Sequence, residues 1–179
     1  MDNNIQFAEN IGERLRKISK ISIEKNLNPQ LESFIKTLGG KLEQKEGFAG
    51  LTVLDDDKFS ISLDVFTSPL RDNFYITKAL GDYLLFGNGD KKEYGSFRVD
   101  DTTYLSNSFA YGFLTPKNEL LKRFKEVNGN ITLCASYFQI PTDFIKARLK
   151  YLNKLAQENK SNSMDEFYNK LIQQNGNKK

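Results

Sequence analysis

The 179-residue sequence contains no histidine. That absence excludes Ser/His/Asp and Cys/His catalytic arrangements. It also excludes the common hydrolytic zinc sites built on two or three histidines. There is no tryptophan and a single cysteine, Cys134, so no intrachain disulfide can form. No apolar run approaches the roughly 18 residues needed to cross a bilayer. The opening MDNNIQFAEN has no apolar signal-peptide core. These gaps read as a cytoplasmic protein with no membrane association. A carboxylate-only magnesium or calcium site, or a Ser/Lys dyad, remains open.

What is present fits a folded domain, alone or with a small appended module. Hydrophobic residues make up 39% and charged residues 27%, too apolar for general disorder. Fourteen Phe and eight Tyr point to an aromatic-rich core. The formal net charge of +3 does not by itself imply nucleic acid.

The spacing predicts a first helix over about twenty residues, with Ala8, Ile11, Leu15 and Ile18 on its apolar face. Asn28-Pro29 predicts a capped second helix striped by Leu31, Phe34, Ile35 and Leu38 and stopped by Gly39-Gly40. Leu51 to Leu54 is a short β-prone run, and Asp55-Asp56-Asp57 reads as a polar turn rather than a metal site. Phe59, Ile61, Leu63 and Val65 then alternate with polar residues, which predicts a strand with one buried face. The two runs read as a hairpin or meander.

Ser68-Pro69 opens a helix that runs to the Gly87-Asn88-Gly89-Asp90 loop. A short strand over 94–99 and a helix over 104–114 follow. Thr115-Pro116 starts a helix carrying Leu120, Leu121, Phe124 and Val127. Two more helices, over 131–138 and 142–158, are joined by Gln139-Ile140-Pro141. Met164, Phe167, Leu171 and Ile172 stripe a final short helix. The expected subdivision is an N-terminal helix (1–28), a central domain (29–128), a helical hairpin (129–158) and a short helix with a frayed tail (159–179). Cys134, between Leu133 and Ala135, reads as a small apolar residue rather than a reactive thiol.

The helix after Ser68 holds the most informative stretch, Lys78-Ala79-Leu80-Gly81-Asp82. Lys78 and Asp82 are four residues apart and share a face. Their plainer reading is a solvated pair; the sharper one is a remodelled binding cleft. Gly81 costs roughly 1 kcal/mol against Ala inside a helix, which something packed against the backbone would explain. In an H-E-x-x-H motif the two His bind one metal and the Glu is the general base. Here Lys78 repels a divalent cation, Ala79 cannot take a proton, and Asp82 alone is one ligand.

Around this frame the sequence resembles the ImmA/IrrE family of metallopeptidases. Phe74, Leu80, Gly81, Tyr83, Leu84 and Leu85 match the family's R-F-T-L-A-H-E-L-G-H-Y-L-L-type helix, while Lys78, Ala79 and Asp82 do not. Asn107, Phe109, Ala110, Leu114 and Pro116 match its E-x-x-A-N-x-F-A-x-x-L-L-M-P segment. The Glu that supplies the third zinc ligand falls on Thr103, with Asp100 and Asp101 close by if the register slips. Leu133 to Pro141 and Arg148 to Leu152 look like a third block. The resemblance covers about residues 30 to 155 and rests on framework positions.

It implies an α+β, zincin-like domain: a short sheet or meander packed against several helices, with a helical C-terminal region. It also implies that zinc peptidase activity has been given up, leaving a pseudoenzyme without metal or cofactor. Active members cut helix–turn–helix repressors of mobile elements, so the implied partner is a protein, a repressor or another prophage or mobile-element regulator. A second reading makes the 131–158 helices a DNA-binding hairpin in transcription regulation, with Lys146, Arg148, Lys150 and Lys154 as nucleic-acid contacts. Plain packing of two helices is the simpler account of that pair. A third reading places another chemistry in the old cleft.

Overall fold

In a computed structural model the protein is an α+β fold. Residues 3–54, 58–86, 93–94 and 101–158 are described. The Asp55–Asp57 turn, the Gly87–Asp90 loop, most of the 94–99 strand and the expected helix at Met164–Ile172 lie outside them. The chain divides into two compact units between Pro116 and Lys117. The expected line at 128/129 falls one helix later.

The first unit holds α1 (Asn3–Ser19), α2 (Leu27–Thr37), β1 (Gly40–Lys45), β2 (Gly50–Val53), β3 (Phe59–Asp64), α3 (Pro69–Phe86), β4 (Glu93–Tyr94) and α4 (Asp101–Leu114). The strands form one sheet in the order β1-β3-β2-β4. β2 and β3 are antiparallel with Leu51 opposite Ile61, as a meander requires. β1 pairs in parallel with β3, Gly40 opposite Phe59. β1 was not legible in the sequence. It is an edge strand reading GKLEQK, whose polar side chains hide the period of two.

β3 is an inner strand, between β1 and β2, and it is buried on both faces. Ser60 and Ser62 are buried along with Phe59, Ile61 and Leu63. The expected single buried face is therefore corrected, and Val65 lies beyond the strand and is exposed.

The cap of α2 is Asn26, whose side chain accepts the Asn28 N–H at 3.3 Å. Pro29 then falls within the first turn, where its missing N–H costs no helical bond. Leu31 and Ile35 are fully buried as expected. Gly39 takes the left-handed φ of 82° that ends the helix.

α1 departs from its predicted face. Ala8 is buried, but Ile18 is 74% exposed. The packing face runs through Ala8 and Gly12 instead. A Cβ on Gly12 would stand 2.1 Å from the Phe109 carbonyl oxygen of α4, and one on Gly112 2.0 Å from that of Glu9. Two glycines thus let the backbones touch, and the larger aliphatic residues are pushed aside. Arg16 closes the crossing. Its Nη1 donates to the carbonyls of Phe113 and Leu114, at 3.1 and 2.9 Å, and so caps the end of α4.

The second unit holds α5 (Lys117–Glu126), α6 (Ile131–Phe138) and α7 (Thr142–Glu158). Its buried residues include Leu120, Phe124, Cys134, Ala135, Phe138, Ile140, Ile145 and Leu152. Among the described residues no helix is long and apolar enough to cross a membrane.

Candidate functional site

α3 starts at Pro69, where a proline suits the first helical position. The Ser68 side chain accepts the Arg71 N–H at 3.4 Å, and the Thr67 hydroxyl donates to the Asp72 carboxylate. Tyr83 stacks on Phe59 of β3, with ring centroids 4.0 Å apart. On another side α3 packs on α4. A Cβ on Gly81 would lie 2.7 Å from the ring of Phe109, itself fully buried. This close approach is the reason a glycine sits inside the helix.

Sandwiched in this way, α3 does not leave Lys78 and Asp82 in solvent. Asp82 is only 6% exposed. Lys78 Nζ lies 3.0 Å from Asp82 Oδ2, and the lysine side chain is 19% exposed. The solvated-pair expectation is therefore corrected to a largely buried ion pair. The second carboxylate oxygen accepts a hydrogen bond from the Ser106 hydroxyl of α4. Asp82 so joins the two helices, with an ammonium on one oxygen and a hydroxyl on the other. Ala79 is buried beside them.

Ser106 was not singled out from the sequence. It lies three residues beyond Thr103 and so shares a face of α4 with it. That spacing was the available signal. Thr103 is in α4, while its side chain lies outside the described residues, as does Asp100.

The donor set decides what this cluster can do. Both Asp82 oxygens are occupied, one by a cation. Among the described residues no three His, Cys, Asp or Glu side chains come together. Ser106 and Lys78 do not form a Ser/Lys dyad with each other, because each bonds the carboxylate and Ser106 is fully buried. The arrangement is a polar tie between α3 and α4.

In the second unit, α6 is capped by Asn130, whose side chain accepts the Leu133 N–H at 3.1 Å. Gln139 takes the left-handed conformation that a glycine more often supplies, with φ 54° and ψ 43°. Lys146, Lys150 and Lys154 are exposed on α7. Arg148 is 0% exposed, with its guanidinium 5.6 Å from the ring centroid of Tyr151. It is removed from the expected nucleic-acid contacts, because it points into the unit rather than out of it. Cys134 is buried, and desolvation pushes its thiol up to about 11. An inert packing role fits it.

No protein-family model matches the sequence, and no curated protein matches it. A solved structure described as a Mycobacterium tuberculosis transcriptional regulator is similar, with a TM-score of 0.58 and 17% identity. The match covers 83% of this chain and 47% of that one, so this chain spans about half the length of that regulator. At this identity the likeness is one of fold.

Proposed function

We propose that this protein is a catalytically inactive relative of the ImmA/IrrE-type peptidases that acts by binding a protein. The observation that carries the reading is the Lys78–Asp82–Ser106 tie. It occupies the place on α3 where the resemblance puts two metal ligands, and Ala79 stands where a general base is needed. Three of the framework residues that match the family have packing roles. Gly81 and Phe109 form the α3–α4 contact, and Tyr83 stacks on the sheet. A binding surface can outlast the chemistry on such a framework. The proposed partner is a helix–turn–helix repressor or another regulator from a mobile element, held without being cut.

A reversion experiment tests the ancestry. Lys78→His, Ala79→Glu, Asp82→His and Thr103→Glu together should create a site that binds one zinc, read by metal analysis after dialysis. The unchanged protein should retain none. A folded quadruple variant that takes up no zinc would sink the ancestry, and stoichiometric zinc in the unchanged protein would sink the inactive reading. Incubation with a candidate repressor should give a complex in which the repressor stays full length; cleavage would overturn the reading.

A second reading is a DNA-binding regulator acting through the 131–158 helices. The exposed lysines of α7 favour it, and the similar solved structure is described as a transcriptional regulator.

A further inference from the structure

The charges of this protein are segregated between its two units. Residues 2–116 hold 14 Lys or Arg against 17 Asp or Glu. Residues 117–179 hold 12 against 6, a surplus of six positive charges. The modest overall charge of +3 hides this asymmetry. Such a split between halves of a chain is one feature that nucleic-acid-binding, membrane-binding and basic-tailed proteins share.

The second unit organises part of that surplus. Lys146, Lys150 and Lys154 follow one another at intervals of four residues, so they lie in a row on α7. At about 1.5 Å per residue, neighbouring lysines are about 6 Å apart along the axis. All three are exposed, and the small Ala147 is exposed on the same side. Among the residues of α7 with described side chains the exposed acid is Asp143, in the first turn; a second acid, Glu158, ends the helix. α6 carries no acidic residue.

We propose that this lysine row binds the phosphate backbone of duplex nucleic acid without reading its sequence. The inference rests on the second functional reading above and changes its character. Base readout needs bidentate side chains such as Arg, Asn or Gln at groove edges. The exposed residues of α7 with described side chains are Asp143, Lys146, Ala147, Lys150 and Lys154. The helix's arginine, Arg148, is buried. Lysine acts on phosphate as a point charge and carries little sequence information.

Among the described residues of α7 no aromatic ring is exposed on which single-stranded bases could stack. Among the same residues no large apolar side chain is fully exposed to enter a bilayer. A regular row of charge suits a regular row of phosphates.

The test uses the full chain, two fluorescent duplexes of unrelated sequence and about 50 to 200 mM salt. Both duplexes should bind with affinities within about tenfold of each other. The logarithm of affinity should fall against the logarithm of salt with a slope near −2.7, about −0.9 for each of three phosphates neutralised. Lys146→Gln/Lys150→Gln/Lys154→Gln should lower affinity at least about tenfold and remove most of that slope. Lys17→Gln/Lys36→Gln/Lys41→Gln, on the first unit, should change neither. Circular dichroism checks that both variants remain folded.

No binding at the lowest salt would overturn both this proposal and the DNA-binding reading. Binding that survives the α7 variant unchanged would overturn the lysine row while leaving that reading standing. A sequence preference beyond about tenfold would show base readout and overturn the proposed mode. Equal affinity for vesicles of anionic lipid would show a general response to charge and overturn the assignment to nucleic acid.

Discussion

Asp82→Ala is the most informative single substitution. It removes the acceptor of the Ser106 hydroxyl inside a fully buried contact, and hydrogen bonds to charged groups contribute about 1.5–3 kcal/mol. It also removes the Lys78 ion pair. The lysine is 19% exposed and can turn to water, so that part is worth at most about 1 kcal/mol. Relief of the carboxylate's own desolvation offsets some of this. The expected net loss is about 2–3 kcal/mol, read as a lower urea midpoint at unchanged slope.

Lys78→Met should cost more, about 3 kcal/mol, because it strands a buried carboxylate. Lys78→Met/Asp82→Leu should recover most of the loss, since an apolar pair of similar volume leaves no buried charge unpaired. If Asp82→Ala lies within about 0.5 kcal/mol of the parent, the tie does not hold α3 to α4. If the double variant is simply additive, the two charges are not coupled.

Gly12→Ala forces a Cβ to 2.1 Å from a backbone carbonyl oxygen, so the helices must separate. A loss of at least about 3 kcal/mol is expected by denaturant unfolding, against the small gain an exposed helical alanine would give. Arg16→Met should lower stability by about 1–2 kcal/mol, and amide exchange should show faster opening at the last turn of α4. Cys134 should resist alkylation in the native state at pH 9 and react at once after unfolding. Its folded pKa is raised from an ordinary 9.0 to about 11, so the fold favours the neutral thiol. That contribution to stability is complete below about pH 9 and is lost as pH rises towards 11.

Helices were legible wherever an apolar stripe faced one partner. α2, α5, α6 and α7 fall close to their expected spans, with Leu31, Ile35, Leu120, Phe124 and Leu152 buried. The β2–β3 pair was legible from its alternation. The edge strand β1 was not, because its mostly polar residues, half of them exposed, show no period of two. The face of α1 was misread because hydrophobic periodicity weighs large aliphatic residues and gives no weight to glycine. The crossing with α4 selects for smallness.

The sequence by itself determined the absence of histidine chemistry, the helical framework and the odd frame from Lys78 to Asp82. It could not say whether that pair faced water. Lys78 and Asp82 look solvated on an isolated helical wheel, and only packing between the sheet and α4 makes them an internal tie with Ser106. The same holds for Arg148 and its neighbours. Four cations on one stretch look alike in sequence, but the fold buries Arg148 and leaves the three lysines in a row outside. Charge is a property of composition, whereas its use depends on which face of a helix the rest of the chain covers.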